Sequence, residues 1–183
     1  LEQAKERWEH LAKSPLEFKF PKDFDGKISE TKQKVKAAII REKGSNSERE
    51  MAKALHLSGF DVKDIHMTDL MSGKEDLTDV QFIAAVGGFS NSDVLGSAKG
   101  WAGSFRYNEN AKKALYDFFA REDTLSLGVC NGCQLFIELG LLTQDDEQKP
   151  KLLHNKSGKF ECVFSDVVIQ KNNSVMLKNL SGS

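Results

Sequence analysis

Three residues within a span of five carry the strongest chemical signal in the chain: Gly128, Cys130 and Gly132, spelling G-x-C-x-G within the segment LSLGVCNGCQ at 125–134. Apolar residues at Leu125, Leu127 and Val129 precede the cysteine, and Leu135, Phe136, Ile137 and Leu139 follow at helical spacing. That order predicts a strand, a sharp turn and a helix, with Cys130 on a nucleophile elbow whose flanking glycines let strand and helix pass closely. At a helix start, a thiolate faces the positive end of the helix dipole, which stabilises the anion. Thiolate attack on a carbonyl creates an oxyanion that needs fixed donors. The amide of Asn131, next after the nucleophile, is one candidate; a second is Gly88, in the Gly87-Gly88 pair that ends another apolar run.

Blander readings compete for each feature. A cysteine in a strand is often only a core side chain, and Gly-Gly often only a turn. Cys130 and Cys133 also spell C-x-x-C, a redox pair or half of a zinc site. No second C-x-x-C or paired histidines complete a zinc set, so no metal site is expected in this chain. A thiol nucleophile ordinarily needs a histidine base oriented by a carboxylate. His10 falls in a leader, His56 on a helix surface, His66 at a strand end near the sheet edge, and His154 before a turn; none makes a convincing base.

The elements that would carry these groups alternate. Strands are expected at 35–40, 61–66, 80–86 and 125–129, and helices at 48–57, 110–121 and after Cys130, with Ser45, Asn46 or Ser47 as cap and Gly59 as terminator of the first helix. The stretch with Asp93, Gly96, Gly100 and Gly103 reads as a polar loop. Alternation with apolar strands predicts an α/β fold, a flavodoxin-like parallel sheet with helices on both faces and a nucleophile elbow. Function then belongs at the carboxyl ends of the strands, where Gly87-Gly88 and Cys130 both fall.

A chain of 183 residues with a formal charge of −1 has no basic field for nucleic acid and no apolar run of membrane-spanning length, so neither nucleic acid nor membrane is an expected partner. Three cysteines suit a reducing, cytoplasmic setting. Residues 1–34 read as a leader helix, with Trp8 and Leu11 on one face, and a linker from a preceding domain; residues 35–183 read as the α/β domain.

The segment GVCNGCQ at 128–134 resembles the nucleophile segment of class I, triad-type glutamine amidotransferases. REKGSN at 41–46, HMTDL at 66–70, GGFS at 87–90 with DVLG at 93–96, and KGWA at 99–102 resemble the large single-chain members that serve de novo purine synthesis. The resemblance implies that Cys130 attacks the side-chain amide of glutamine, releases ammonia and leaves a glutamyl thioester for water to hydrolyse. It implies the amides of Gly88 and Asn131 as the oxyanion hole and Gln134 as a substrate-lining residue. The ammonia would pass to synthetase domains of the same parent chain, where ATP and Mg2+ drive amidation of formylglycinamide ribonucleotide; no cofactor is implied in this chain itself. The family's histidine and glutamate, in an H-G-E-G-like segment, are implied beyond Ser183, and Val163 stands where the family usually has arginine. Glutamine hydrolysis by the chain as given is therefore expected to be negligible. A non-catalytic docking module, another elbow-cysteine domain and a C-x-x-C oxidoreductase remain as alternatives.

Overall fold

In a computed structural model, the structure describes residues 2–3, 5–6, 20, 35–142, 149–163 and 167–181. The predicted linker apart from Phe20, the leader residues Trp8, His10 and Leu11, and most of the leader helix lie outside the described residues. The chain divides into two compact units, Ile28–Gly158 and the pair Leu1–Lys27 with Lys159–Ser183. In the second of these, residues 2–3 and 5–6 are helical, a single 3-10 turn covers Lys178–Leu180, and Asn172 Oδ1 accepts the Ser174 N–H at 2.9 Å.

The larger unit is built on four parallel strands, β1 (Lys36–Arg41), β3 (Asp61–His66), β4 (Phe82–Ala85) and β6 (Leu125–Gly128), in the order β3-β1-β4-β6. Counted along the chain this is 2-1-3-4, the flavodoxin-like order, with its switch point between β1 and β4. Two short strands, β2 (Ser45–Asn46) and β5 (Gly87–Gly88), pair antiparallel beyond the carboxyl ends of β1 and β4.

Both faces of the central strands are apolar, so β1 and β4 feed two cores by simple alternation. Ala38, Ile40, Ile83 and Ala85 pack with Trp101, Phe105, Leu115, Phe118 and Leu135 on one side. Ala37, Ile39, Phe82 and Ala84 pack on the other with Leu55 of α1 (Glu48–Leu57). The first face carries α2 (Met67–Ser72), α3 (Lys99–Tyr107), α4 (Glu109–Phe119) and α5 (Asn131–Leu139).

Two local expectations are corrected. The stretch read as a polar loop contains α3, whose Trp101, Ala102 and Phe105 are buried at helical spacing. Its glycines disguised that stripe; Gly100 leaves room for the Asn91 side chain, which a Cβ there would meet at 3.2 Å. Ser47 is indeed the residue before α1, but with φ +75° and no side-chain cap bond; Asn46 Oδ1 instead accepts the Ser47 N–H at 2.8 Å.

Candidate active site

The elbow begins with the pairing of Ala85 and Gly128 and the Val129 N–H bonded to the Ala85 carbonyl at 3.0 Å. The chain then reverses at Cys130, which has φ +53° and ψ −109° and is the residue preceding α5. A non-glycine residue held at positive φ costs on the order of 1–3 kcal/mol and persists only where its surroundings enforce it. Here they do. The Gly132 N–H bonds to the Val129 carbonyl at 2.9 Å and the Gln134 N–H to the Cys130 carbonyl at 3.1 Å, closing the turn on both sides of the cysteine.

Both flanking glycines are required by contact. A Cβ on Gly128 would lie 2.8 Å from the Gly132 carbonyl oxygen and 2.9 Å from the Cys133 backbone nitrogen. One on Gly132 would run into the carbonyl of Ala85 and lie 2.8 Å from its Cβ. The first glycine lets the helix start fold over its own strand, and the second lets α5 sit on β4. Cys130 is exposed, Cys133 half-buried, and neither is in a disulfide.

The glycine pair reaches the same place from β4. A Cβ built on Gly87 would meet the Cys130 Cβ at 3.3 Å and its Sγ at 3.8 Å. Gly88, at φ +106°, is pressed against the β1–α1 loop, where a Cβ would stand 2.6 Å from the Asn46 nitrogen and 2.7 Å from the Gly44 carbonyl. The Phe89 N–H bonds to that carbonyl at 2.8 Å while Gly88 lies opposite Ser45. In an antiparallel pair this makes Gly88 a non-hydrogen-bonded position, so its own N–H turns away from β2 and is available to a ligand.

Asn131, 1% exposed, ties the two loops together through its side chain. Its Oδ1 accepts the Ser90 N–H at 3.1 Å, across 41 positions of sequence, and its Nδ2 donates to Gln134 Oε1 at 2.8 Å. Sequence reasoning used only the Asn131 amide and missed this bridge; a polar residue at a buried first helical position was the available signal. Beside the glycine loop, Lys43, Gly44, Asn91 and Ser92 line a cavity of about 350 Å3, at the switch point where ligands bind in open parallel sheets. Glu42, next in sequence to Lys43 and 7% exposed, accepts the Lys43 N–H at 2.8 Å and the Ser104 hydroxyl at 3.3 Å through its carboxylate.

The histidines stay apart from the cysteine. His66 ends β3, three strands from β6 and so about 14 Å across the sheet; its Nδ1 accepts the Thr68 N–H and caps α2. His56 is exposed on α1, and His154 is exposed before the turn closed by the Gly158 N–H to the Asn155 carbonyl. No histidine is hydrogen-bonded to Cys130 among the described residues. Arg41, at the end of β1, is engaged by Asp64 at 2.8 Å, and that hydrogen bond raises the guanidinium's already high pKa. Among the described residues no group of three or more His, Cys, Asp or Glu side chains could hold a metal ion. Val163 is exposed.

A flavodoxin-like parallel sheet with an exposed cysteine on a tight strand-to-helix turn and a facing glycine loop defines the class of α/β fold to which the chain belongs. The chain belongs to the CobB/CobQ-like glutamine amidotransferase domain family, whose model matches residues 34–183. Among curated relatives, the probable phosphoribosylformylglycinamidine synthase, chloroplastic/mitochondrial, of Arabidopsis thaliana is 46% identical over 156 residues, 82% of this chain. The phosphoribosylformylglycinamidine synthase of Dictyostelium discoideum is 46% identical over 153 residues, 81% of this chain. The chain spans 11% of the length of each. A solved structure of PurLQS from Thermotoga maritima is similar with a TM-score of 0.57 and 31% identity, over 77% of this chain and 57% of that one.

Proposed function

We propose that this chain is the glutamine-hydrolysing part of a phosphoribosylformylglycinamidine synthase, supplying ammonia for the ATP-dependent conversion of formylglycinamide ribonucleotide to formylglycinamidine ribonucleotide. The observation that carries the reading is the contact of the Gly87-Gly88 loop with Cys130 at an elbow whose glycines are sterically obligatory, in a chain 46% identical to relatives of that name. In this reading Cys130 Sγ, as thiolate, attacks the side-chain carbonyl carbon of glutamine. The amides of Gly88 and Asn131 receive the oxyanion, Gln134 lines the substrate pocket, and the carbon–nitrogen bond breaks to release ammonia, which requires a proton. Water then hydrolyses the glutamyl thioester.

ATP and Mg2+ belong, in this reading, to synthetase domains of the parent chain, with residues 1–34 as the leader that joins them to residues 35–183. Three free cysteines fit a cytoplasmic, reducing location. The test is a chloroketone analogue of L-glutamine, docked as the substrate is, in which Cys130 Sγ bonds to the chloromethyl carbon and chloride leaves to solvent. One equivalent is expected on Cys130, with a rate that saturates in reagent concentration and vanishes in Cys130→Ala. Non-saturating labelling shared equally with Cys133 and Cys162 would overturn the reading.

A further inference from the structure

We propose that the Asn131 side chain is a positioning residue that holds the two halves of the oxyanion hole in register and sets the polarity of Gln134; the proposal rests on the glutaminase reading above. One half of the hole is the Asn131 amide at the start of α5, and the other comes from the Gly88 loop after β4. These segments arrive from neighbouring strands whose backbones are bonded as far as Ala85 and Val129, and Gly88 lies beyond that pairing. The bond from the Ser90 N–H to Asn131 Oδ1 at 3.1 Å fixes their separation two residues beyond Gly88. The bond is fully buried, where an amide left unpartnered is costly, so the loop is held firmly.

The same side chain orders its second neighbour. A backbone N–H can only donate, so the atom of Asn131 facing Ser90 is its oxygen and the atom facing Gln134 is its nitrogen. Gln134 must then present Oε1 to Asn131, as it does at 2.8 Å, which leaves its Nε2 as the group offered elsewhere. The network runs one way from Ser90 to Gln134, and Gln134 acts as a donor toward whatever it meets.

The test separates an oxyanion effect from a folding effect by using two reagents on the 183-residue chain. The γ-p-nitrophenyl ester of L-glutamate acylates Cys130 through a tetrahedral oxyanion; Sγ bonds to the acyl carbon and p-nitrophenolate leaves without needing a proton, so no histidine is required. Iodoacetamide alkylates the same sulfur by displacing iodide at a saturated carbon, with no oxyanion. Asn131→Ala is expected to slow acylation by roughly 10²-fold, the loss typical of one oxyanion-hole donor, and to leave alkylation unchanged. Asn131→Asp keeps an acceptor for Ser90 but loses the donor to Gln134 and sets a negative charge beside the oxyanion, so the ratio of acylation to alkylation is expected to fall in it as well.

Slowing of both reactions alike by Asn131→Ala, slowing of neither, or a native ratio in Asn131→Asp overturns the proposal. Should Asn131→Ala fail to fold by circular dichroism, the Asn131→Asp ratio decides alone. A native chain acylated no faster at Cys130 than at Cys162 overturns the glutaminase reading itself, and the proposal with it.

Discussion

At Cys130 the backbone is held at φ +53° by the bonds that close the turn, and the residue is exposed, beside Gly87, just before α5. Strain of this kind at an exposed thiol is the reason to test its reactivity. A small thiol alkylator at neutral pH is expected to modify Cys130 faster than Cys133 or Cys162, read by peptide mass mapping; equal rates would sink the elbow reading. Gly88→Ala tests the opposite loop. It combines a φ of +106° with a Cβ 2.6 Å from the Asn46 nitrogen, so the loop must shift. Acylation of Cys130 by the nitrophenyl ester is expected to fall by roughly 10²-fold, while an unchanged rate would remove Gly88 from the oxyanion hole.

Elements differed in how openly the sequence announced them. Helix α1 matches its expected span of Glu48–Leu57 and β3 its span of Asp61–His66, because Gly59 and the apolar alternation bound them locally. The elbow was legible for the same reason: the residues that need glycine are the glycines' own sequence neighbours. Helix α3 was not, since Gly100 and Gly103 look like loop residues until Asn91 is seen lying against Gly100. The Asn131–Ser90 bridge was hidden too, joining residues 41 positions apart that follow strands whose adjacency is a property of the sheet. Two substitutions probe these elements. Gly132→Ala places a methyl into Ala85 and pushes α5 off β4, with an expected loss of ~1–3 kcal/mol in urea unfolding. Trp101→Ala empties a fully buried site on α3 and is expected to cost ~3–5 kcal/mol. Trp101→Phe is expected to cost less, since Trp101 Nε1 has no hydrogen-bond partner among the described residues.

For the larger unit as a whole, the amino ends of the strands are an electrostatic seam and the carboxyl ends are the site. Lys36 pairs with Asp79 at 2.7 Å, and Lys63 with Glu75 at 2.5 Å and Asp79 at 3.8 Å. The hydrogen bond from Lys36 holds the Asp79 carboxyl below its ordinary value, with Lys63 helping and burial opposing. A depressed carboxylate stabilises the fold above its unfolded value of about 3.9 and loses that contribution as pH falls through its lower folded value. Asp79 is 44% exposed, so solvent screening limits the term to ~0.2–1 kcal/mol. Asp79→Asn should lie below the native chain by that amount at neutral pH and converge with it in acid, in paired unfolding curves; a gap constant with pH contradicts the assignment. Turnover is a separate property of the whole. With no histidine bonded to Cys130 among the described residues, steady glutamine hydrolysis by the 183-residue chain is expected to be negligible, measured as ammonia released.

Binding of glutamine needs no proton transfer, and protection by substrate therefore probes the site most directly. Iodoacetamide labelling of Cys130 is to be followed by mass spectrometry against increasing L-glutamine, with Cys162 of the same molecule as the internal reference. The expected result is a saturable slowing at Cys130 by L-glutamine, none by D-glutamine, and no change at Cys162. Labelling of Cys130 that is indifferent to L-glutamine at every concentration would contradict a glutamine site built on the elbow.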